Sequence, residues 1–207
     1  LTQIEHSEKV FIMKRLLLIL IIIFSFQSLT KADDLSDFQI EGISIGDSLL
    51  LHLTIDDIKI AENNPTYYKD KKYVVVFVNK LSSIYEVIQV TYKPNDKNYI
   101  IEAVEGLIDF PNDMSSCNRL KKKITDEIVL LVEDYDIVED KGEHEADTFG
   151  KSEAFSTWIY PKNGGYIAIT CSDYSEEANK ENGWTDQLSV VVGSEKLKEF
   201  LMNEAYN

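Results

Sequence analysis

The sequence predicts an α+β domain: an antiparallel sheet with helices packed on one face, in the order α-βββ-α-βββ-α, pinned by one disulfide. Three observations carry that expectation. Runs rich in Val, Ile, Tyr and Phe recur between turn residues, a composition that suits a pleated, half-buried surface. Met114, Cys117, Leu120, Ile124, Ile128 and Leu131 recur at three- and four-residue spacing and so form one apolar helical face. Cys117 lies on that face, and Cys171 shares a strand face with Ile167 and Ile169, so both sulfurs point at a helix–sheet interface.

Taken in order, residues 33–39 are polar, and residues 40–46 form an extended run that Gly46 breaks. Asp47 or Ser48 then caps a helical stretch over 49–61, carrying Leu50, Leu53, Ile58 and Ala61 and ending by Asn63-Asn64-Pro65. Strands are expected at 73–78, 85–92 and 99–110, with Pro94-Asn95-Asp96 as the clearest turn. A long helix over 113–132 opens the second half, followed by strands at 154–160, 165–171 and 187–192. Asn163-Gly164-Gly165 marks a hairpin between the first two of these. Ser194 caps a closing helix through Leu197, Phe200 and Leu201 to Ala205. The halves repeat an order without repeating residues. The polar stretches 133–151 and 172–186 are expected to be surface loops.

Compartment is read from the N-terminus. Met13-Lys14-Arg15 precedes an unbroken apolar run from Leu16 to Phe24, and small residues Thr30 and Ala32 stand three and one positions before Asp33. Residues 13–32 are therefore expected to be a signal peptide, residues 1–12 an upstream translation extension, and residues 33–207 a single domain. The apolar run is about half the roughly 20 residues a spanning helix needs, so no stable membrane anchor is expected after processing. The predicted location is the periplasm or the extracellular medium. There an even cysteine count favours a Cys117–Cys171 bridge.

The chain has a formal net charge of −15. Removing the leader takes away more cations than anions and leaves the remainder more acidic still. Such a surface repels phosphate backbones, which excludes nucleic acid as an expected partner. An envelope protein, a peptide or a sugar fits better, and the many tyrosines with Trp158 and Trp184 supply polar-tipped aromatic surface for one.

Two segments invite a catalytic reading. Gly46-Asp47-Ser48-Leu49 spells the signature of the Gly-Asp-Ser-Leu esterases, and Gly42-Ile43-Ser44-Ile45-Gly46 spells a nucleophile elbow. Ser48 or Ser44 would be the nucleophile and His52 the nearest base. The esterases' Asp-x-x-His and Gly-x-Asn-Asp blocks have no counterpart: Leu49 and Lys141 stand three residues before the histidines at 52 and 144, and Phe110 replaces the glycine before Asn112-Asp113. Helix capping by Asp47 or Ser48 is the simpler account. A second candidate is divalent-cation binding by Asp134, Asp136, Glu143 and Glu145, although Ile137 and Val138 stand where a calcium loop needs a further ligand and a glycine. A solvated acidic loop is the simpler account there too, and no cofactor is expected.

The run from Asp37 through Leu50, together with Lys97-Asn98-Tyr99-Ile100-Ile101 and the helix carrying Cys117, resembles small uncharacterised exported proteins of Pelagibacter-type marine bacteria. A looser likeness, in the glycine-led helix start after a short extended segment, is to small periplasmic accessory domains of the outer-membrane assembly kind. The resemblance implies export and carries no activity. The functional expectation is an exported, non-catalytic binding or envelope-accessory module, with the serine hydrolase and the cation-binding protein as alternatives.

Overall fold

The computed structural model describes residues 34–63, 65–68, 71–78, 84–144 and 147–205. The expected leader and the extension ahead of it lie outside the described residues, as does Glu145. Eight strands are present among the described residues: β1 (Thr66–Tyr67), β2 (Val74–Phe77), β3 (Val87–Tyr92), β4 (Ile101–Asp109), β5 (Tyr135–Glu143), β6 (Glu153–Pro161), β7 (Tyr166–Asp173) and β8 (Gln187–Gly193). Four α-helices accompany them among the described residues: α1 (Ile55–Ala61), α2 (Met114–Ile128), α3 (Glu176–Asn182) and α4 (Glu195–Asn203).

The strands form one sheet in the order β1-β2-β3-β4-β8-β7-β6-β5, and every neighbouring pair is antiparallel. Two four-stranded meanders thus meet at the β4–β8 seam. Helix α2 carries the chain from central β4 to the far edge, where β5 begins the second meander. The α+β class and the disulfide stand, but the expected order needs two more strands and one more helix.

Each omission has a physical reason. Strand β1 is two residues long and too short to show a period. Strand β5 covers the acidic stretch expected to be a loop; it is an edge strand exposed along nearly its whole length, so burial imposes little alternation on its charges. Helix α3 lies in the polar stretch after β7, held by its cap, where the Ser175 hydroxyl accepts from the Ala178 amide at 3.1 Å.

Strand alternation sorts the side chains into two faces. Val104 and Ile108 of β4, Leu188, Val190 and Val192 of β8, and Ile167, Ile169 and Cys171 of β7 all enter the larger core. That core also takes Leu35, Phe38, Ile40, Ile43, Leu49 and Ile58 from the N-terminal segment, with Met114, Leu120, Ile124 and Ile128 of α2 packed against it. Asp113 caps α2 by accepting from the Ser116 amide at 3.0 Å. Cys117 of α2 and Cys171 of β7 are fully buried and joined, with Cα atoms 6.0 Å apart.

The opposite face corrects the expectation that every helix shares one side. Leu197 and Phe200 of α4 pack with Tyr73 and Ala103 in a second, smaller cluster. Ala103 alternates with Val104, so α4 lies across the sheet from α2. Its start is fixed at the sheet centre: the Ser194 hydroxyl donates to Glu102 at 2.6 Å and accepts from the Leu197 amide at 3.2 Å.

Candidate functional site: the open face of the sheet

The face opposite α2 is built from residues that the strand register sets side by side. One row across the strands reads Gln89, Glu105, Val191, Ala168 and Trp158, from β3 to β6. The next row reads Leu107, Ser189, Thr170 and Ser156. On the other side lie Thr91, Ala103, Gly193 and Tyr166. The Tyr166 ring occupies the space where a Cβ at position 193 would stand, so glycine there admits the ring.

These rows floor a hollow of about 340 Å³ reaching from Val75 on β2 to Trp158 on β6. A second hollow of about 460 Å³ continues over β6 and the inner side of β5, lined by Asp140, Glu143, Ser156, Trp158 and Tyr160. The two share His144, Trp158, Tyr166, Thr170 and Leu201, and together make one groove running across the strands. Leu201 of α4 contributes one wall.

An aromatic cluster forms the opposite wall. The His144 and Tyr174 rings lie 4.9 Å apart, and Tyr174 and Trp184 lie 5.1 Å apart. The Tyr174 hydroxyl receives Gln187 Nε2 at 3.1 Å and lies 3.2 Å from His144 Nε2. Behind the cluster, the buried Asp147 carboxylate accepts from the amides of Phe149, Lys151 and Ser152 and from the Ser152 and Ser175 hydroxyls. The Ser152 hydroxyl bond is the largest of the influences that hold its carboxyl well below the usual carboxylate range, and the amide donors add to it. This turn joins β5 to β6 and, through Ser175, ties them to the cap of α3.

Glu105 is the ionisable group in the middle of the floor. The Ser189 hydroxyl donates to Oε1, and no cation pairs with the carboxylate among the described residues. Burial pushes its pKa up, partly offset by the Ser189 bond. Two and three strands along, on β7 and β6, the Thr170 and Ser156 hydroxyls bond each other at 2.9 Å, leaving lone pairs available to a donor. Trp158 stacks nearly parallel to Tyr160, with centroids 6.2 Å apart.

Of the residues singled out in the sequence, Trp158 and Glu143 line the groove, and the serine, histidine and remaining described acidic candidates lie elsewhere. Ser48 caps the 3-10 turn Leu49–Leu51, accepting from the Leu50 amide at 3.3 Å, and donates its own proton to the Asn98 carbonyl at 2.5 Å. Ser44 is buried between Ile43 and Ile45. His52 closes the same 3-10 turn, and its Nε2 is buried with no hydrogen-bond partner among the described residues. Asp136 is paired with Lys162. Asp136 and Glu143 stand at opposite ends of β5, seven positions and so roughly 23 Å apart along one strand. Asp134 precedes the strand at a positive φ of 46°.

Trp158 was among the aromatic residues expected to supply a binding surface, whereas Glu105, Ser189 and Thr170 were not among the candidates. The available signal was Glu105 itself, a carboxylate inside the apolar run Ile101–Asp109. Comparison with family models, with characterised proteins and with solved structures finds no match for this chain.

Proposed function

We propose that the protein is an exported, non-catalytic binding module and that the groove on the open face of its sheet is the binding surface. The observation that carries this reading is the contrast between faces: one is sealed by α2 and the N-terminal segment, and the other presents hydroxyls, a carboxylate and aromatic rings in register. A sheet that needed only stability would not place Ser189, Thr170, Ser156 and Glu105 together on its central strands. Size and lining suit a small ligand or a short segment of a larger one, with a few polar groups fixing orientation. The engagement of Ser48 as a cap, with its proton on a backbone carbonyl, supports a structural role for the esterase-like segment. Export is supported by the charged and apolar leader in the sequence and fits a buried disulfide.

The test is a panel of amines, amino acids, sugars and short peptides read by tryptophan emission. A true ligand changes the emission saturably, and Trp158→Phe removes most of that change while leaving the fold intact by circular dichroism. A panel that produces only changes insensitive to Trp158→Phe would defeat the reading.

A further inference from the structure

Resting on the open face as the binding surface, we infer that its ligand class is an extended polyamine: ammonium groups separated by hydrocarbon, one held by Glu105. The carboxylate is half-buried on the groove floor and receives one hydroxyl, with no cation to neutralise it among the described residues. A partly desolvated charge without a counter-ion is costly, and an arriving cation recovers part of that cost. Ser189 spends its proton on Glu105, so its lone pairs remain as acceptors for the same ammonium. A ligand rich in donors and poor in acceptors matches that floor.

Between Glu105 and Trp158 the register places only Val191 and Ala168. The carboxylate and the indole are thus three strand spacings apart, about 14 Å, across a short-side-chain apolar strip. Hydrocarbon fits the strip, and an indole face suits either methylenes or a second cation. Beyond Trp158 the adjoining hollow adds Asp140 and Glu143 as further carboxylates. Its basic residue, Lys198, is paired with Glu195 at 2.5 Å. The sequence as a whole, at −15, draws cations toward the surface. A cavity of about 340 Å³ around Glu105 matches a free polyamine better than a folded basic partner.

The experiment titrates the disulfide-bonded domain with spermidine by calorimetry at physiological ionic strength, where diffuse attraction between exposed charges is screened. We expect saturable binding that Glu105→Gln weakens at least tenfold. Glu176→Gln, on exposed α3, should change it less than twofold, and 1,8-octanediol should not bind. Equal effects of the two substitutions, non-saturable binding, or tighter binding of pentalysine than of spermidine would each overturn the inference. A neutral or anionic ligand whose signal depends on Trp158 would overturn it too, while leaving the open face as the binding surface.

Discussion

The Cys117–Cys171 bridge links α2 to β7 across a sequence separation of 54 residues. In the chain-entropy model, closing a loop of that length removes enough freedom from the unfolded chain to stabilise the fold by about 4 kcal/mol. For a domain of this size that corresponds to a melting temperature lower by roughly 8–16 °C once the bond is gone. Both sulfurs are fully buried, so replacing them by alanine also leaves small voids. Reduced wild-type protein separates the two effects, because it lacks the bond and keeps the volume. The assay is urea unfolding of oxidised wild type, reduced wild type and Cys117→Ala/Cys171→Ala, with midpoints and slopes compared. Reduced protein should lose most of the 4 kcal/mol, the double variant somewhat more, and neither should lose ligand binding, because the bridge lies on the face away from the groove. A loss below about 1 kcal/mol in reduced protein would refute the entropic reasoning.

Two further predictions concern ionisable groups. Glu105 has a raised pKa in the folded state, so protonation favours folding, and this group's contribution to stability is present in acid and lost as pH rises through the folded pKa. Glu105→Gln without ligand should therefore melt higher than wild type at neutral pH, with the gap closing in acid; a constant gap across pH would contradict the assignment. Asp147 has the opposite sign: its depressed pKa contributes stability above the ordinary carboxylate range, lost as pH falls. Asp147→Asn should lower the neutral-pH melting temperature and lose its effect in strong acid, and thermal scans against pH would show a pH-independent difference if the hydrogen-bonded carboxylate were not responsible.

Much of the larger core was legible because it depends on local period. The face of α2 and the alternation of β7 each lie in one short window, and together they placed Cys117 opposite Cys171. Ser194 was legible as a cap for the same reason. Strand β5 was hidden because an exposed edge strand buries too little to impose a pattern on its sequence. The side chosen by α4 was hidden because an amphipathic helix records which of its own faces is buried, and not which face of the sheet covers it. The groove was hidden most deeply. Glu105, Val191, Ala168 and Trp158 become neighbours only once β4, β8, β7 and β6 pair in that order, and the β4–β8 seam joins the ends of the two meanders. No window of local sequence contains that register.

The open face and the core alternate residue by residue, which makes methyl groups a direct reporter of where a ligand sits. In a methyl-labelled sample titrated with the amine, sugar and peptide panel, the account predicts shifts at Val191, Ala168, Ala103 and Leu201, which border the groove. Val190, Val192, Ile167 and Ile169, their immediate neighbours on the covered face, should move far less. Ligand-induced shifts centred on those core methyls or on α2, with Val191 and Ala168 unmoved, would contradict the central claim that the open face is the binding surface.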